Sequence, residues 1–324
     1  MPDRSHRAAC RPLDGGGPMT DAASDDPVRT WCPLVTPLDG DEAVDHDALA
    51  SLVSHVREGG VEGLVPCGTT GEFASLDAEE YRAVLETTVD AAGDAPVMAG
   101  TAATSVAETL HRIETARDAG VDIGLIVLPY FHTANDPEGN AEFVRRVADD
   151  AVLPLYLYNI PACTGQAIAP DVVKSVADHD RIHGLKDSSG DFNYFVETLR
   201  RTPDDFDCYQ GFDSHLVPGM LQGGTGGINA LSNVVPKVFT AGAAAAAGDV
   251  DAARRIGNEG IAPLFQQCVA HGFAPATKAA LAERSILDDA TVRPPLVEPG
   301  DEAREEIGEA VDIALDVVES VDLG

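Results

Sequence analysis

Lysine is almost missing from this chain. Among 324 residues there are four, Lys174, Lys186, Lys237 and Lys278, and Asp plus Glu number 54 against 22 Lys plus Arg, for a formal charge of −32. Phosphate backbones are held by Lys and Arg, so a chain this acidic is read as having no nucleic-acid partner. Cysteine clusters are missing too. Cys10, Cys32, Cys67, Cys163, Cys208 and Cys268 are dispersed, with no C-x-x-C, His-x-His or H-E-x-x-H pattern nearby, which argues against a metal site and a disulfide framework. No apolar run reaches the roughly 18 residues of a membrane span, and the N-terminus has no apolar signal segment, so the expectation is a cytoplasmic protein with no membrane partner. Disorder is excluded in turn. Hydrophobic residues make up 44% and fall in periodic segments, the apolar surface that disordered acidic chains lack. Acidity spread along the whole chain, with lysine scarce, suggests a protein kept soluble in concentrated salt.

What is present is a regular march of short apolar runs and longer helical patterns. The runs are 31–37, 63–67, 96–100, 123–129, 153–160, 182–186, 206–211 and 227–231, and between them lie helix-like stretches such as 47–58, 77–91, 105–119, 140–149 and 170–177. Ser75-Leu76-Asp77-Ala78-Glu79-Glu80 offers a capping oxygen ahead of helix formers. Eight βα units predict an α/β fold, a TIM (β/α)8 barrel with a C-terminal helical appendage, since 324 residues exceed the roughly 250 of one barrel. The expected division is a disordered N-terminal extension over 1–28, the barrel over 29–234 and a C-terminal helical region over 235–324. Residues 1–18 carry Arg4, Arg7, Arg11 and three glycines without periodicity, making Met19 an alternative start. No G-x-G-x-x-G follows the first run, against a doubly wound dinucleotide fold.

Reactive groups of such barrels sit at the C-terminal ends of strands. Lys186 ends the run Ile182-His183-Gly184-Leu185-Lys186. A lysine amine that loses its proton is a carbonyl nucleophile and forms Schiff bases with keto acids, whereas position alone favours a solvated strand-end lysine. Strand alternation puts Tyr156 and Tyr158 on one face and Leu155 and Leu157 on the other; it turns Lys186 inward, and Leu185 and Asp187 away. A phenol beside the amine can relay protons, although a lone inward tyrosine is more often core. Gly68-Thr69-Thr70-Gly71-Glu72 presents hydroxyls and N–H groups suited to a small carboxylate, or is a capped glycine turn. Gly223-Gly224-Thr225-Gly226-Gly227-Ile228-Asn229 brings backbone close to the barrel axis.

Taken in order, Val35-Thr36-Pro37, Gly68-Thr69-Thr70-Gly71-Glu72, Pro129-Tyr130, Tyr158-Asn159-Ile160-Pro161, Gly184-Leu185-Lys186-Asp187 and Gly226-Gly227-Ile228 resemble the dihydrodipicolinate synthase and N-acetylneuraminate lyase superfamily, over about residues 31–236. The resemblance implies a pyruvate-dependent class I aldolase, a carbon–carbon lyase with a small keto-acid substrate and no cofactor or metal beyond the covalent lysine imine. It implies that Lys186 forms the imine and Tyr158 moves protons. Thr69 and Thr70 would bind the keto-acid carboxylate, backbone near Gly211 and Ile228 would line the pyruvoyl pocket, and Tyr130 would contact substrate. A homotetramer, a dimer of dimers, is implied as well, with Tyr130 and Phe131 placed to reach a neighbour's pocket.

Two positions depart from the synthase pattern. Phe131 stands where a second tyrosine is expected, and Ala162-Cys163-Thr164-Gly165 stands where an arginine would take the aldehyde's carboxylate. A cysteine cannot form that bidentate ion pair. Tyr-Asn-x-Pro-x-x-Thr-Gly is closer to the archaeal 2-keto-3-deoxygluconate aldolases. The expectation is therefore cleavage of 2-keto-3-deoxygluconate, or its 6-phosphate, to pyruvate and glyceraldehyde or its 3-phosphate, in carbohydrate metabolism. A 4-hydroxy-tetrahydrodipicolinate synthase joining pyruvate to aspartate semialdehyde is the alternative, sialic acid lyase comes third, and a non-catalytic keto-acid-binding barrel is the reading of another class. His132, Lys278 and Arg284 could meet a phosphate, but helix-face solvation suits each better.

Overall fold

The computed structural model describes residues 29–133 and 135–321; the N-terminal extension expected over 1–28 and Cys10 lie outside them. Eight parallel strands run β1 Thr30–Cys32, β2 Gly63–Leu64, β3 Met98–Gly100, β4 Ile123–Val127, β5 Leu155–Asn159, β6 Ile182–Asp187, β7 Asp207–Gln210 and β8 Gly226–Ile228. They pair in the order β2-β1-β8-β7-β6-β5-β4-β3, and a parallel bridge between Leu64 and Val97 joins the two ends. The result is a TIM (β/α)8 barrel with helices between its strands and further helices after β8, among them Phe273–Glu283 and Asp301–Glu319.

The strands are shorter than the apolar runs that announce them. Pro33 follows β1 and Pro66 closely follows β2; neither has an N–H to donate, so the regular ladder is interrupted there, while Leu34 N still donates to the Val65 carbonyl at 3.1 Å and the chain stays buried. Period-two alternation sorts the strand side chains into two layers. Leu155, Leu157 and Leu185 join the apolar layer between barrel and helices, whereas Trp31, Tyr156, Tyr158, Tyr209 and Ile228 fill the interior. Aromatic contacts, such as Tyr156 against Tyr209 at 5.9 Å, make that interior a packed core. The helix Ala78–Ala92 starts at a capping box. Asp77 accepts from Glu79 N and Glu80 N, and the Glu80 carboxylate accepts from Asp77 N at 3.0 Å.

Candidate active site

Strand register brings two of the expected residues together. Tyr158 on β5 pairs with Lys186 on β6, which pairs in turn with Tyr209 on β7. Both side chains point inward near the C-terminal ends of their strands, and Lys186 Nζ lies 4.2 Å from the centre of the Tyr158 ring. Lys186 is 4% exposed and Tyr158 6%. Ser188 Oγ donates to the Tyr158 hydroxyl at 3.5 Å. Asp187 turns away, as alternation requires. Its carboxylate accepts from Asn159 Nδ2 at 2.8 Å and from Ser189 N and Oγ at 3.1 Å, although burial still pushes the Asp187 carboxyl above the usual range. Asn159 Oδ1 accepts in turn from Ile168 N, tying the end of β5 to the following loop. Asp187 thus fixes the strand ends and leaves the amine alone.

Gly211, just past β7, is where the lysine stem needs room. A Cβ there would lie 2.7 Å from Lys186 Cε and 2.1 Å from Ser188 Oγ. Ile228 is fully buried beneath, in the interior cluster. Asp213, on the turn after β7, is fully buried and accepts from Leu231 N at 2.8 Å. Burial pushes its carboxyl up to about 6 against the pull of that bond and of the Lys186 charge.

Above these groups opens a cavity of about 320 Å³. Thr69, Tyr130 and Tyr158 line it; Thr70, Lys186, Gly211 and Ile228 do not. Thr70 is buried beside Thr69 in the turn after β2. That turn is strained, with Cys67 and Glu72 in the left-handed region at φ 55° and 54°. Other walls are Leu125, Val127, Ile160, Cys163, Pro295 and Leu296, with no Arg or Lys among the lining residues. Cys163 is exposed at the cavity edge, and partial desolvation by its neighbours moves its thiol up rather than down, so the thiol form is favoured over the thiolate there. Phe131 is 92% exposed with φ 79°, an outlier for an aromatic residue, and does not cover this chain's own rim.

Two expectations about cations need correction. Lys278 does not lie on a solvated helix face: it is 1% exposed, and its Nζ sits 2.5 Å from Glu72 Oε1. Arg284 is half-buried and donates to the Val234 carbonyl. Neither reaches the cavity, whereas His132 stays exposed. Sequence reasoning also missed Pro295 and Leu296, which come from the chain's far end. Among the described residues, no three His, Cys, Asp or Glu are grouped to hold a metal, and no helix is long and apolar enough to cross a membrane.

The geometry has close counterparts. The chain matches the family model described as the dihydrodipicolinate synthetase family over residues 26–314. It is 38% identical to a 4-hydroxy-tetrahydrodipicolinate synthase of Natronomonas pharaonis over 280 residues, 86% of this chain and 94% of that one. It is 36% identical to the enzyme of that name from Pseudomonas aeruginosa, over 81% of this chain and 90% of that one. The chloride-inhibited dihydrodipicolinate synthase of Acinetobacter baumannii, solved in complex with pyruvate, superposes with a TM-score of 0.84 at 31% identity, covering 88% of this chain and 98% of its own. These findings overturn the expected 2-keto-3-deoxygluconate aldolase and its place in carbohydrate metabolism. That expectation weighed two loop positions, Phe131 and Cys163, above the likeness of the whole chain.

Proposed function

We propose, from the premise that the chain belongs to the dihydrodipicolinate synthetase family, that it is a 4-hydroxy-tetrahydrodipicolinate synthase condensing pyruvate with aspartate semialdehyde. It is an enzyme of the carbon–carbon lyase kind, class I and pyruvate-dependent, working through a lysine Schiff base without an external cofactor. The observation that carries the reading is the Lys186 amine packed on the Tyr158 ring at the ends of adjacent strands, next to a cavity walled by Thr69.

Neutral Lys186 attacks the C2 ketone of pyruvate, and loss of water leaves an iminium. Thr69 and Thr70, with the N–H groups of their turn, hold the carboxylate. The iminium draws electrons from C3 as a methyl proton leaves, giving an enamine. The enamine carbon attacks the aldehyde carbon, and the Tyr158 phenol protonates the new alkoxide. The acceptor's own amine then adds to C2 and expels Lys186, closing the ring and freeing the enzyme. No lining residue offers a cation to the acceptor's carboxylate. The proposal also includes a dimer-of-dimers assembly in which Phe131, 92% exposed, reaches a neighbour's cavity, and a cytoplasmic setting.

Borohydride reduction in the presence of pyruvate should add a pyruvyl mass to the peptide holding Lys186 and leave K186A unmodified. Aspartate semialdehyde should then be turned over with pyruvate in preference to glyceraldehyde or its 3-phosphate. Absence of the adduct would overturn the Schiff-base assignment, and turnover with the sugar aldehydes alone would overturn the acceptor.

A further inference from the structure

Of the four lysines, two are buried. Lys186 faces the barrel interior, and Lys278 sits on the helix Phe273–Glu283. Its ammonium makes two contacts, one to Glu72 Oε1 at 2.5 Å and one to the Thr291 carbonyl at 2.8 Å. Each belongs to a segment that walls the cavity. Glu72 closes the turn after β2, its backbone N–H donating to the Thr69 carbonyl at 3.2 Å. Thr291 begins the stretch 291–296, whose Pro295 and Leu296 form the opposite wall. The two segments are also joined directly. Arg293 N donates to Glu72 Oε2 at 3.4 Å, and the Arg293 guanidinium donates to the Ser75 and Glu42 carbonyls and to the Glu80 carboxylate.

We propose that Lys278 is a positioning residue for the keto-acid subsite, holding the Thr69 and Thr70 turn through Glu72 and the 291–296 wall through Thr291. The inference rests on the reading that those threonines take the pyruvate carboxylate. The turn needs an outside hold because Cys67 and Glu72 both occupy left-handed backbone, a conformation that persists only where surrounding contacts over-determine it. Glu72 supplies that hold only if its buried carboxylate has a cation. Removing either partner leaves a lone charge away from water, which the turn can relieve by swinging Glu72 outward and carrying Thr69 with it. Burial disfavours the Lys278 ammonium, and Glu72 beside it works the other way. A pair kept only for stability would have no reason to end on two cavity walls at once.

Stability and positioning separate in a set of variants. K278M leaves Glu72 alone, E72Q keeps a hydrogen-bond partner for the ammonium, and E72Q/K278M removes both buried charges and so keeps a packed, folded protein. The readout is borohydride trapping of pyruvate, followed by intact mass against pyruvate concentration, together with steady-state KM and kcat. K278M and the double variant should need roughly tenfold or more pyruvate for half-maximal trapping and show a matching rise in pyruvate KM, with kcat changed by less than about threefold. E72Q should fall between them and the parent protein. A folded double variant that traps pyruvate at the parent's half-saturating concentration overturns the proposal, as does a loss of kcat with pyruvate KM unchanged. If the parent protein forms no adduct, the function reading fails and this inference goes with it; if the parent traps pyruvate and the variants match it, only this inference fails.

Discussion

Asp213 is a carboxyl group with no path to water, which makes its protonation a property of the fold. The unfolded chain releases that proton near the ordinary value of 3.8, whereas burial holds it in the folded state up to about 6. The folded state binds the extra proton between those values, so stability falls as pH rises through the interval. The contribution is present in full below about 4 and gone above about 6. A shift of about two units corresponds to roughly 3 kcal/mol. Denaturant unfolding of the parent and D213N between pH 4 and 7 checks it. The parent should lose on the order of 3 kcal/mol relative to the variant across that range, and a constant difference would refute the assignment. Nothing local in the sequence marks Asp213, because its burial is made by Leu231 and the helices beyond β8. Lys186 was legible. It ends an apolar run in a chain with four lysines, and a two-residue period fixes which way it points.

At the scale of the element, what the sequence showed and what it hid divide along contact range. Alternation along β5 and β6 placed Tyr158 and Lys186 in the interior and Leu185 outside, because the strand period is local. Strand lengths were overestimated where Pro33 and Pro66 each remove a donor from the ladder without ending burial. The 291–296 wall was not legible, since Arg293 meets Glu80 across 213 positions; scarcity made Lys278 conspicuous but could not tell a solvated helix face from a buried one. The fit between β3 and the turn after β2 gives a direct check. A Cβ on Gly100 would lie 2.0 Å from the Cys67 carbonyl oxygen, and both are backbone positions that cannot rotate away. G100A should therefore cost about 1–3 kcal/mol, as overpacking does, and weaken pyruvate trapping by displacing Thr69. Equal unfolding midpoints for G100A and its parent would show that the turn yields freely.

Over the whole molecule, the charge of −32 works against compactness, because folding brings like charges together and self-repulsion rises. The helix Asp301–Glu319 concentrates the effect. Asp301 and Glu302 in its first turn are favourably placed against the helix dipole, but Glu305 and Glu309 are exposed and four residues apart, a spacing at which like charges destabilise. Salt relieves this, since the screening length shrinks from about 10 Å at 0.1 M to about 3 Å at 1 M. The melting temperature should accordingly rise by several degrees between about 0.1 and 2 M potassium chloride, a salt chosen because sulfate would also strengthen apolar burial. E305Q/E306Q/E309Q removes three negative charges without touching the first turn or the buried face, which carries Ile307, Ala310 and Val311. This variant should melt higher than its parent in dilute salt, and the gap should narrow as salt is added. Two parallel curves would place the stabilisation by salt in burial or ion binding, and melting that is flat across the series would mean that the surface charge carries no measurable strain.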